Sequence, residues 1–181
     1  MNPLLVTLAC LCSALAVSAC NSREPGSPTT VDAKTDCRSD DKYYDESNVQ
    51  RCTARLALAL SNQDRGMTLN VRGNTYDALK EYDLAIADYS EVIRLLPTFE
   101  YAYANRALER CRKKDFSAAL PDYDKALLLN PKNSYARYGR GVALSRLGKN
   151  AEAATELAAA NAIDPEIAAV YREIHMEPSG L

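Results

Sequence analysis

The chain has 181 residues, 47 % of them hydrophobic and 25 % charged, which suits one modest globular domain with extensions. Lysine and arginine number 22 against 24 aspartates and glutamates, a formal net charge of −2, so there is no bulk basicity to hold nucleic acid. A single histidine, His175, lies near the C-terminus, which excludes histidine-rich metal sites and most histidine-based triads.

Residues 1–22 carry no charged side chain, and Leu4 to Val17 form an apolar, alanine-rich stretch. That is short of the roughly 20 apolar residues a membrane span needs, and it fits the core of a secretory leader. The stretch ends Val17-Ser18-Ala19-Cys20. Small residues before a cysteine resemble the lipobox of bacterial lipoproteins. That resemblance implies a signal peptide over 1–19, lipidation of Cys20 and a mature protein that begins there. Asn21 resembles outer-membrane sorting, which implies a lipoprotein on the periplasmic side of that membrane. Met1-Asn2-Pro3 lacks the usual lysine or arginine. Ordinary cleavage after Ala19, giving a soluble periplasmic or secreted protein, and an uncleaved anchor are the alternatives. Residues 20–36 are rich in Pro, Gly, Ser and Thr and poor in large apolar groups, so they read as a flexible tether.

A helical extension is expected over 37–65. Ser47 to Leu60 carries Val49, Cys52, Leu56 and Leu60 at helical spacing. Cys10 and Cys12 belong to the leader, which leaves Cys37, Cys52 and Cys111 in the body. Export implies an oxidising compartment. A Cys37–Cys52 disulfide is therefore expected, with Cys111 free and packed between helices. Such a bridge closes a loop of about 15 residues and stabilises by about 3 kcal/mol on the chain-entropy account. Three unpaired cysteines are the alternative. Asp40, Asp41, Asp45 and Glu46 lack the spacing and central glycine of a calcium loop and read as a solvated connector.

The strongest signal is internal. Pro97, Pro131 and Pro165 fall at equal intervals, and Ala85, Ala119 and Ala153 keep the same step. So do Gly73, Ala107 and Gly141, and Val92, Ala126 and Ala160. Each unit reads as two helices: Gly66–Lys80 with Asp83–Leu95, Tyr101–Lys113 with Phe116–Leu129, and Ser134–Leu147 with Ala151–Ile163. Small residues at fixed positions let paired helices approach closely. Gly148 suits a helix C-terminus that needs positive φ. Pro121 would break an ordinary helix interior, so Ser117 is expected to cap a late-starting helix. Asp164 and Pro165 open a last amphipathic helix, with Ile167, Val170, Tyr171 and Ile174 on one face, as the cap over 165–181.

These residues resemble the tetratricopeptide repeat, with units at 66–99, 100–133 and 134–167. The resemblance implies an all-α, right-handed α-solenoid. The first helices of the units would line a concave groove that takes an extended peptide or a partner helix. The inward positions imply Asn70, Asn74, Tyr101, Asn105, Leu108, Tyr135, Tyr138 and Val142 as groove residues. Asn74 and Asn105 match two members of the carboxylate clamp that some relatives use, but the clamp's basic members are replaced by Asn70, Tyr135 and Gly139.

Arginine recurs at position 7 (Arg72, Arg106, Arg140) and an acid at position 23 (Asp88, Asp122, Glu156). An arginine held between helices needs a carboxylate to offset its desolvation. The expected pairs cross between repeats, Asp88 with Arg106 and Asp122 with Arg140. Lys132, Arg137, Arg140, Arg146 and Lys149, together with Arg110, Arg112, Lys113 and Lys114, bias the inner helices towards positive charge. That suggests an acidic partner segment, with plain solvated charge as the alternative.

No GxSxG, P-loop, HExxH or GxGxxG motif is present, so no catalytic residue, metal or cofactor is expected. The expected function is a non-catalytic scaffold of the cell envelope that binds another envelope protein and is held to the membrane by its lipid. A self-associating assembly module, and a small enzyme sited near Cys37 and Cys52, are the rival readings.

Overall fold

The protein is seen in a computed structural model that describes residues 36–38 and 44–178. The expected leader, Cys20, the tether up to Thr35, and Asp40 and Asp41 lie outside those residues. All the described residues belong to one compact unit. They form eight α-helices, and no strand occurs among them.

The first helix, α1 (Glu46–Leu56), starts where the Asp45 carboxylate accepts from the Asn48 N–H. It is shorter than the helix expected over Ser47–Leu60. Ser61 takes over as a new cap: its Oγ accepts from Asp64 N at 3.0 Å and donates to Asp64 Oδ2 at 2.6 Å. The cap satisfies one of the free N–H groups at the helix start. It starts α2 (Asn62–Ala78) one turn before the expected Gly66. The later helices are α3 (Tyr82–Leu95), α4 (Glu100–Arg112), α5 (Phe116–Leu129), α6 (Ser134–Arg146), α7 (Asn150–Ile163) and α8 (Ile167–Glu173).

The pairs α2–α3, α4–α5 and α6–α7 pack as hairpins, and each hairpin packs on the next. α4 also touches α6, so the first helices form an inner layer. The small residues that recur once per unit sit in the contacts. Ala85, Ala107, Ala119, Ala126, Ala153 and Ala160 are fully buried. Gly139 lets two hydroxyls approach, because an added Cβ would lie 2.4 Å from both the Tyr123 and Tyr171 oxygens.

Every hairpin turns through one residue at positive φ: Lys80 (63°), Lys114 (65°) and Gly148 (77°). The residue after each donates back into the preceding helix, from Glu81 N to Tyr76 O, Asp115 N to Arg110 O and Lys149 N to Leu144 O. This is the Schellman closure, in which glycine carries no Cβ penalty and lysine does.

Two local expectations are corrected. Asp115, not Ser117, caps α5, accepting from Ala118 N at 3.2 Å. Pro121 is thus the sixth residue of the helix, beyond its first turn. The missing proline N–H would have bonded the carbonyl of Ser117, an exposed residue where water can take its place. At the C-terminal end, α8 opens at Ile167 and not at Pro165, with Asp164 Oδ1 accepting from Glu166 N in the preceding turn. Ile167 and Tyr171 are buried, whereas Val170 is 40 % exposed.

A disulfide joins Cys37 to Cys52 across 15 residues, and Cys111 is free and buried. Asn48, fully buried, ties this corner together. Its Nδ2 donates to Arg38 O and Thr75 Oγ1, both at 2.9 Å, and its Oδ1 accepts from Arg38 N at 3.1 Å.

Candidate functional site

The repeat arginines organise the stack, but with different partners from those expected. Arg72 forks onto Asp88 at 2.8 and 2.7 Å, and Arg106 onto Asp122 at 2.8 and 2.7 Å, each within its own hairpin. Arg140 reaches Glu156 of its own unit at 3.1 Å. Asp88–Arg106 and Asp122–Arg140 are therefore not the pairs. Positions 7 and 23 of one unit each lie mid-helix, so they face each other across the antiparallel hairpin, and this geometry selects the acid of the same unit. The link between repeats uses position 25, further along the second helix. Arg106 Nη1 donates to Ser90 Oγ at 3.0 Å, and Arg140 Nε to Asp124 at 2.7 Å. Each of these two arginines thus bonds its own hairpin and the preceding one.

The other basic side chains are largely spent inside the chain. Arg110 pairs with Asp122, Arg112 with Asp77, Lys113 with Asp83 and Arg137 with Glu156. Arg146 donates to the Glu177 carbonyl at 2.8 and 3.2 Å. Lys114 and Lys132 stay exposed. The positive bias read from composition is thus mostly cancelled, and an acidic partner segment loses the counter-charge expected for it.

The inner layer carries a cavity of about 260 Å³. Four expected groove residues line it: Asn74 of α2, Asn105 and Leu108 of α4, and Tyr135 of α6. Asn74 Oδ1 accepts from Tyr89 OH at 2.8 Å and from Asn105 Nδ2 at 3.4 Å, which fixes both amides. The remaining expected groove residues lie elsewhere. Tyr101 is half exposed and leans on Phe99 at 5.7 Å between ring centroids. Asn70 lies on α2 outside this cavity, and its Oδ1 is buried without a hydrogen bond. Tyr138 and Val142 are covered, sharing one core cluster with Tyr171 and Met176. Tyr138 stacks on Tyr171 at 4.8 Å. The C-terminal cap thus occupies the part of the inner layer where those two would have faced a guest.

The same cavity also contains Asp77, on the inward face of α2, and three residues the expected groove omitted, Glu109, Tyr44 and Tyr89. Glu109 is 1 % exposed. Burial first, and the neighbouring Asp77 carboxylate second, push its carboxyl up to about 8. Burial also raises the Asp77 carboxyl against the pull of Arg112. Arg112 stands 2.5 Å from Asp77 and 3.8 Å from Glu109, over the Tyr82 ring. With one guanidinium for two carboxyls, the pair keeps a proton at neutral pH. Glu109 lies one helical turn after Asn105 and so shares its helix face, a signal that would have placed it in the groove. A second cavity of about 500 Å³ continues past Asp77 and Arg112 to His175 and Met176.

Among the described residues no three His, Cys, Asp or Glu side chains gather as a metal site, and no helix is long and apolar enough to cross a membrane. Cys37 and Cys52, where the rival enzyme reading placed its chemistry, are joined to each other and offer no thiol.

Models of the tetratricopeptide repeat match residues 67–99 and 104–166, together more than half of the chain. No curated protein sequence matches it. Among solved structures, the Arabidopsis OM64 TPR domain is 29 % identical, with a TM-score of 0.57, over 59 % of this chain and 88 % of that one. The first TPR of Spaghetti (RPAP3), bound to the HSP90 peptide SRMEEVD, is 28 % identical with a TM-score of 0.57, over 66 % and 96 %. The second TPR domain of human RPAP3, in complex with the HSP70 peptide SGPTIEEVD, shares the fold at 24 % identity and a TM-score of 0.57, over 65 % and 100 %.

Proposed function

This chain belongs to the tetratricopeptide-repeat family, and from that premise we propose that it is a non-catalytic scaffold that seats a segment of another protein on its inner helices. The observation that carries this reading is the convergence of Asn74, Asn105, Leu108 and Tyr135, from three separate helices, on one cavity. Fixed amides can bond an extended backbone, and a tyrosine gives rigid contact area at low entropy cost. The guest differs in chemistry from the HSP90 peptide of the Spaghetti domain, whose last residues are acidic. Here the cavity wall itself carries Asp77 and Glu109.

The place of action we infer is the cell envelope. The support is the apolar stretch ending at Cys20 and the Cys37–Cys52 bridge, which suits an oxidising compartment. On this reading Cys20 carries the lipid and residues up to 36 let the repeats stand off the membrane. Mass spectrometry of the mature N-terminal peptide tests it: acylated Cys20 is the expected species, and an intact Met1 sinks it.

Affinity capture from envelope extracts tests the groove. Ala78 borders both cavities and is not part of the buried core, so Ala78→Trp fills the site from its rim. A specific partner should be lost with Ala78→Trp and kept with Leu128→Trp on the outer helix α5. An unchanged partner list would move binding off the inner layer.

A further inference from the structure

Glu109 poses a problem that seating a peptide backbone does not solve. Its side chain lines the cavity, it is 1 % exposed, and its Oε2 has no hydrogen-bond partner. A buried carboxyl with an idle oxygen is costly unless a partner completes it. Arg112 cannot complete both acids. It lies close to Asp77 Oδ1 at 2.5 Å and only reaches Glu109 Oε2 at 3.8 Å. Near neutrality the proton that Glu109 holds against Asp77 stands in for the second cation, and once that proton leaves the cluster is one cation short. The rest of the wall is Tyr44, Tyr89 and Tyr135, the two asparagines, and Leu108 and Ala78. Aromatic walls hold a cation through the ring quadrupole, and the attraction grows when water is excluded. At about 260 Å³ the cavity lies just below the roughly 300–1,000 Å³ of small-molecule sites, room for one long side chain.

We propose that this cavity receives the ammonium group of a lysine side chain from the partner segment, with Glu109 and Asp77 as its counter-charge. The proposal rests on the groove reading above and names what that groove selects. An ammonium suits the geometry better than a guanidinium. It is a compact point charge that can use a single idle oxygen, whereas a guanidinium fork needs two, and Asp77 already faces Arg112.

Seating the ammonium displaces a proton. The Glu109 carboxyl, held protonated near neutrality, gives its proton to solvent and becomes the carboxylate that faces the lysine. The groups around it are Asp77 of α2, Tyr89 of α3, Arg112 and Cys111 of α4, Tyr135 of α6 and Tyr44. Burial pushes the Cys111 thiol up to about 12 and the Tyr89 and Tyr135 phenols above their ordinary 10, so these stay neutral. His175 borders Asp77 in the adjoining cavity. Affinity for a lysine-bearing segment therefore rises as pH climbs through about 8.

The test uses the full chain and peptide pools randomised at all positions but one, which holds lysine, norleucine or glutamate. At about pH 8.5 the lysine pool should bind at least about tenfold tighter than the norleucine pool, a gap that narrows at about pH 6.5. Glu109→Gln, which keeps the shape, should bind the two pools alike at both pH values. Asp77→Asn should reduce the preference for lysine, and a thermal melt of each variant checks that it is folded. If the wild type binds all three pools equally, or prefers glutamate, the cavity does not read lysine although the groove still binds peptide. If it binds no pool, the groove reading fails and this proposal fails with it.

Discussion

Glu109 makes the stability of the fold depend on pH in a direction opposite to that of a salt-bridged acid. Its folded carboxyl titrates at about 8, above the ordinary 4.5, so the folded state holds the proton more tightly than the unfolded chain. Stability is therefore highest below about 4.5 as far as this group is concerned, declines as pH rises to about 8, and is level beyond. Denaturant unfolding between about pH 5 and 8 should show that decline, and Glu109→Gln should flatten it. The repeat arginines allow a sharper comparison at the same scale. Arg72 is the cation paired with Asp88, which is 5 % exposed, whereas Asp122 has both Arg106 and Arg110 at 2.7 Å. Breaking a buried pair costs about 3–5 kcal/mol because a charge is left behind. Arg72→Met should approach that cost, while Arg106→Met should fall well short of it, since Arg110 remains. Equal losses in urea melts would mean that the second arginine does not share the load.

The hairpin corners make a prediction at the scale of elements. Lys80, Lys114 and Gly148 hold the same left-handed place in successive units, and only the third is glycine. A residue with a Cβ there costs about 1–2 kcal/mol. Lys80→Gly and Lys114→Gly should each raise the unfolding free energy by about 1 kcal/mol, less the extra entropy glycine gives the unfolded chain. Unchanged or lowered melting temperatures would contradict it. The helix pairs themselves were legible because prolines and small residues punctuate the chain at one regular step, with Gly148 marking the last corner. The ends were less so. Asp115 and Ser61 compete with other polar neighbours for capping, and only backbone geometry settles which oxygen meets which N–H. Which acid meets which arginine was illegible for a related reason. Periodicity gives positions along a helix, while the choice between positions 23 and 25 depends on how the second helix is rotated between its two neighbours. Glu109 was hidden because an acid in a helix reads as solvated. Its burial arises only where α2, α4 and α6 converge.

At the scale of the whole molecule, the described stack is stapled at one end by a covalent bond and closed at the other by side-chain packing. The Cys37–Cys52 bridge should contribute about 3 kcal/mol, so Cys37→Ser or mild reduction should lower the melting temperature by several degrees. The buried Asn48 should then become more exposed to exchange than the core of α4 and α5. At the far end, Tyr171 and Met176 sit over Tyr138 and Val142, while the cavity between Asn74 and Tyr135 and the larger one beside it stay open. Binding on the inner layer requires a partner seated in the cavity between Asn74 and Tyr135. A photo-activated crosslinking residue placed at Asn105 in the cavity, and in a parallel protein at Leu128, which is 73 % exposed on α5, addresses this directly. A discrete adduct from position 105 and none from 128 is the expected result, and adducts confined to 128 would contradict it.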